Sequence, residues 1–89
     1  MAAVTVDTGY PKVHVGGSTK KYFYIFDIAA DADYLDVPLK VILGASFVND
    51  TDTSGVAIAS TAAQGYGTRI TFDTAGAVTN VYGTIEGLP

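Results

Sequence analysis

The chain has no cysteine and no tryptophan, and only one methionine and one histidine in 89 residues. Without cysteine there is no disulfide, no thiolate nucleophile and no Cys-ligated zinc. A lone histidine, His14, excludes a multi-histidine metal site within one copy. Basic residues are scarce: five Lys and Arg stand against nine Asp and Glu, a net charge of −4. That balance excludes the clustered basic footprint that a nucleic-acid partner requires. Charge of either sign is sparse as well. Only 16% of residues are charged, and an average soluble domain of this length would carry about eight more charges. A small domain has much surface for its volume, so the shortage leaves apolar surface that one thin core does not absorb. The expectation is that another protein chain supplies the missing cover.

Long apolar runs are missing too. The longest uncharged stretch, Thr53 to Thr68, is too polar and too rich in glycine to span a bilayer, so no membrane partner is expected. Met1-Ala2-Ala3-Val4 shows neither the basic nor the apolar region of a secretion signal. Helical periodicity is absent beyond the single turn that residues 29–33 would allow. No Gly-rich phosphate loop is present, and no cofactor or metal is expected.

What the chain does have is β-forming side chains. Thr, Val and Ile make up 27 residues, joined by six Tyr and four Phe, all of which suit a pleated, half-buried surface. Short runs broken by Gly, Asp, Asn and Pro predict strands at Val4–Thr8, Lys12–Val15, Lys20–Ile28, from Pro38 to near Val48, Val56–Ser60, Thr68–Asp73 and Val78–Glu86. Seven or eight short strands in one domain, residues 1–89, make a small antiparallel β-sandwich or barrel. Residues 1–18 are the least core-like part and read as an arm or an edge hairpin. Asp31 to Asp36 reads as a solvated turn. Residues 61–67 read as a small-residue connection.

Lys20–Ile28 is the strongest strand. Tyr22, Tyr24, Phe26 and Ile28 share one face while Phe23 and Ile25 occupy the other, which implies cover on both sides. Tyr22, Tyr24 and Phe26 are therefore assigned to a core or an intersubunit seam. Tyrosine pairs an apolar ring with a polar tip and favours interfaces. Tyr10, with Pro11, and Tyr66, each Tyr beside a glycine, are taken as further interface residues.

Constellations with chemistry are weak. Asp50-x-Asp52-x-Ser54-Gly55 spells the first half of a calcium loop, but the twelfth position falls on Thr61, which does not chelate as a bidentate acid does. It reads as a polar hairpin loop. Asp27, Asp31, Asp33 and Asp36 crowd one stretch without the intervening groove that paired catalytic carboxylates need. Asp27 ends an apolar strand and is expected to pair with Lys or Arg, in this chain or in a neighbouring subunit. His14 lies on a polar strand face with no nucleophile elbow in the sequence, and no catalytic residue is assigned.

Residues 4–15 (VTVDTGYPKVHV), residues 22–33 (YFYIFDIAADAD), residues 37–42 (VPLKVI), residues 70–78 (ITFDTAGAV) and the NVYG at 80–83 together resemble small virion proteins of tailed bacteriophages, especially head-decoration or cement-like proteins. The resemblance covers most of the chain and carries no catalytic signature. It implies a non-enzymatic β protein made in the host cytoplasm and bound to the capsid exterior. It also implies a homo-oligomer, a trimer by preference, in contact with the major capsid protein. The alternative is a carbohydrate- or receptor-binding module of a tail fibre or spike. That reading expects Tyr10 and Tyr66 near the loop carrying Asp50 and Asp52.

Overall fold

The computed structural model describes residues 1–49, 55–65 and 67–89. Among them are eight strands and no helix: β1 (Thr5–Val6), β2 (Lys12–Gly16), β3 (Thr19–Ile28), β4 (Tyr34–Val37), β5 (Val41–Asn49), β6 (Ala57–Gln64), β7 (Gly67–Asp73) and β8 (Val78–Leu88). They form two antiparallel sheets. One runs β1-β3-β8-β5, with β2 also paired to β3, and the other runs β4-β7-β6. The all-β, sandwich-like architecture expected from the alternating pattern is what the chain adopts.

Period-2 alternation sets the layers. Tyr22, Tyr24, Phe26 and Ile28 of β3 point inward with Val81 and Ile85 of β8, while Leu35, Val37, Ile70 and Phe72 answer from the smaller sheet. Three phenylalanines join the layers: Phe72 lies 4.9 Å from Phe47 and 5.4 Å from Phe26 between ring centroids. Phe47 meets Phe72 edge-on, a geometry the ring quadrupoles favour. Gly83 makes room for this cluster, because a Cβ there would stand 2.7 Å from the Phe47 ring. Gly67 is required as closely: its missing Cβ would fall 2.1 Å from the Val37 carbonyl oxygen.

Three expectations need correction. The stretch expected as a solvated turn contains β4. Leu35, Val37 and Leu39 alternate with Tyr34, Asp36 and Pro38, and all three of the former are buried. The connection expected at 61–67 is mostly strand, since β6 continues to Gln64 and pairs it with Gly67. Last, β3 is covered on one face only. Tyr22, Tyr24 and Phe26 are buried by this chain's own second sheet and present no surface to a partner, which resolves their assignment to the core. The face without cover is the one bearing Phe23 and Ile25.

The amino-terminal segment is stitched into both layers. Thr5 and Val6 pair with β3, while Ala3 bridges to Tyr34 of β4. Residues 12–16 form a hairpin with β3, closed by Gly17 at φ 65°.

Candidate functional site

Asp33 organises one flank of the sandwich. It continues the inward register of Leu35 and Val37 and is 2% exposed. Its carboxylate accepts hydrogen bonds from the backbone N–H groups of Ala2, Ala29 and Ala30, each at 3.1 Å. Burial pushes this carboxyl up, but the three donors and the charged amino terminus outweigh it and hold Asp33 below its ordinary value of 3.8. The acid is a structural clasp between the amino terminus and the β3–β4 turn, not a solvated loop residue. Within this chain, Asp27, expected to pair with a cation here or in a neighbouring subunit, accepts the backbone N–H of Asn80 at 2.9 Å. Among the described residues Arg69 and Asp36 form an ion pair, with two parallel contacts of 2.8 and 3.1 Å, and the guanidinium stacks 3.8 Å over the Tyr34 ring.

These groups do not assemble a catalytic centre. His14 is exposed on β2 and pairs in register with Lys21. Among the described residues no group of three His, Cys, Asp or Glu is placed to hold a metal ion. An open cleft of about 500 Å³ at one end of the sandwich is lined by Asn49, Val56, Thr74, Val78 and Thr79, and among the described residues its one charged residue is Asp73. The described lining brings together no nucleophile and base.

Two surfaces stand out instead. On the outer face of the larger sheet, Ile25 of β3, Tyr82 of β8 and Val48 of β5 lie in one cross-strand row, and Phe23 sits two residues from Ile25 on the same face. Phe23, Tyr82 and Val48 are 39%, 43% and 39% exposed, a patch of apolar side chains that no element among the described residues covers. Charged and polar residues border it: Lys12 opposite Phe23, then His14, Lys21 and Glu86 in the next row. The second surface is the flank formed by β5 and β6. Both strands are at the edge of their sheets, and neither carries a charged residue.

Of the interface residues expected from sequence, Tyr10 is half-buried under the Lys12 ammonium, 5.6 Å from its ring centre, and Pro11 is exposed. They lead into β2 beside the Lys12–Phe23 register pair, next to the outer-face patch. Tyr66, Asp50, Asp52 and Ser54 lie outside the described residues. Phe23, Val48 and Tyr82, exposed here, were not among the interface residues expected from sequence. Their signal was the outward half of the alternation, in which an apolar residue has no inward duty to explain it. No family model matches the chain, and neither does any curated protein or solved structure.

Proposed function

We propose that the chain is a structural protein that works by association: a decoration or cement protein on the exterior of a tailed-phage head, bound to the major capsid protein and to copies of itself. The observation that carries this reading is the Phe23–Ile25–Tyr82–Val48 patch, fixed on a rigid sheet and rimmed by polar residues. Contiguous apolar surface of that form is the usual mark of a protein-binding site. A small, charge-poor β domain without an assembled catalytic group suits a mechanical task. Contacts made only in the assembled shell stabilise that shell by mass action, with no chemical step. Tyr10 and Pro11, beside the patch, extend the contact.

Co-sedimentation with capsids stripped of their small surface proteins tests the reading. Wild-type protein should pellet with the shells and raise their melting temperature. The double variant Phe23→Ser/Tyr82→Ser changes only exposed side chains and should remain folded but stay in the supernatant. Failure to bind any tailed-phage shell, or binding by the double variant at wild-type strength, overturns it.

A further inference from the structure

We propose that β6 is a seam at which two copies of this chain pair, antiparallel about a two-fold axis, turning the three-stranded sheet into a six-stranded one. The sheet ends at β6, which pairs with β7 alone. Among the described residues no backbone hydrogen bond outside that ladder reaches Ala57–Gln64. Such an edge offers a row of N–H and C=O groups whose fitting partner is another extended strand.

Edges are normally protected by short length, charge, proline, bulges or a covering segment. The edges on the opposite flank use these devices. β4 has four residues, carries the Asp36–Arg69 pair and is bridged by Ala3; β2 has five and carries Lys12 and His14. β6 has eight residues with no charge and no proline, and its one bulge, between Ile58 and Ser60, leaves Ser60–Gln64 in regular register.

The occupant follows from self-complementarity. A strand paired with its own copy about a dyad sets each side chain against one from the same strand, so any charge near the centre would meet its like. Ala57–Gln64 contains none. A two-fold axis normal to the sheets also brings the two β5 edges together, since β5 lies on the same flank: Val56, which leads into β6, donates its N–H to the Phe47 carbonyl oxygen. β5 is uncharged along its whole length, with Val41 and Leu43 46% and 60% exposed. Eight residues span about 26 Å and two stacked layers about 20 Å, so the flank covers on the order of 500 Å² per copy. The pair buries roughly 1,000 Å², the threshold for a specific interface, and it needs both layers to reach it.

The inference rests on the associative reading only in expecting a partner, and capsid binding is scored separately. A dimer indifferent to capsids keeps the pairing and overturns the virion role; a capsid-binding monomer does the reverse. The test is mass in solution by light scattering for the full chain and for Ser60→Lys and Ser60→Glu. Ser60 is exposed at the middle of β6. Wild type should show the mass of two chains. Each variant, folded by circular dichroism, should be monomeric with dimer affinity reduced at least tenfold. Mixing the two variants should restore a dimer, because opposite charges then face each other. A wild-type monomer or trimer, an unaltered dimer in Ser60→Lys, or folded variants that stay monomeric when mixed would each overturn the pairing.

Discussion

The two flanks of this sandwich solve the same problem in opposite ways. Where β1 meets β4, the amino-terminal strand pairs with the larger sheet, its preceding residues bridge to the smaller one, and Asp33 ties three backbone donors from two segments. Val4 is buried there, donating its N–H to the Tyr34 carbonyl oxygen at 2.9 Å. Where β5 meets β6, the one backbone hydrogen bond across the gap among the described residues is Val56 N–H to the Phe47 carbonyl oxygen, both edges are long, and side chains that register with the core remain in water. Ile58 pairs with fully buried Phe72 yet is 40% exposed. A closed flank makes a boundary. An open flank with apolar inward positions, and no charge on β5 or β6, fits the pairing proposed above: part of the shortage of charge falls where the second copy would sit.

The comparison is broken most completely by removing what both flanks share. Phe72→Ala deletes the ring at the centre of the aromatic cluster and should cost about 3–5 kcal/mol. A domain of this size holds roughly 4–13 kcal/mol in total, so urea unfolding should show a midpoint lowered severely and equally whichever flank is probed. Asp33→Ala comes next and should break the symmetry. It leaves the amide donors of Ala2, Ala29 and Ala30 without their acceptor inside the structure. Hydrogen exchange should accelerate at those amides and at Val4 while β6–β7 amides keep their protection. Asp31→Ala, which removes one exposed bond to the Thr74 N–H, should lower the melting temperature less.

Titration separates the closed flank from the core. Asp33 is held below its ordinary value when folded, so its stabilisation is complete above about pH 4 and is lost as the pH falls through the folded value. The acid limb of the stability profile should therefore flatten in Asp33→Ala. Tyr24 behaves in the opposite sense. Burial, with the neighbouring Tyr22 adding to it, pushes its phenol from 10.0 up to about 12. Its contribution is present below about pH 10 and is lost as the pH rises through about 12. Phenolate absorbance should show a late-titrating tyrosine that disappears in Tyr24→Phe, and the alkaline limb should flatten with it.

How far these features could be read in advance depends on whether alternation survives in the residue types. β3 was legible because Tyr22, Tyr24, Phe26 and Ile28 stand on one side of a ten-residue strand. β4 carries the same signal in Leu35, Val37 and Leu39, but acids at 31, 33 and 36 suggested water. The inward set begins with one of those acids, made compatible with burial by the neighbouring Ala29 and Ala30 donors together with Ala2, 31 residues away. No local pattern announces that. β6 was half legible: Ala, Ser and Thr carry no contrast between faces, and only pairing with β7 extends the strand to Gln64. The charge shortage pointed to a covering chain, but its location required knowing that the inward face of β3 is covered from within. Among the described residues the exposed large apolar side chains include Phe23 and Tyr82 on the outer face, Val13 and Val15 on β2, and Val41, Leu43 and Ile58 on the β5–β6 flank.

The smallest expected effect sharpens the comparison furthest. Ile58→Ala and Ile70→Ala make the same chemical change on neighbouring strands of one sheet. Ile70 is fully buried on β7, and its truncation should cost about 2–5 kcal/mol through lost transfer energy and the cavity left behind. Ile58 already meets water, so in an isolated chain its truncation should cost about 1 kcal/mol or less, since the surface it removes from water is smaller and solvent fills the space. If the open flank is paired in solution, that small value holds only at low protein concentration. Binding to the native state adds stability that rises with partner concentration. The gap between wild type and Ile58→Ala should then widen as concentration increases, while the Ile70→Ala gap stays constant. Chemical unfolding of all three proteins across a wide dilution series reads this directly. Parallel, concentration-independent curves for Ile58→Ala would mean that the open flank is solvated surface and that the two flanks differ in packing alone.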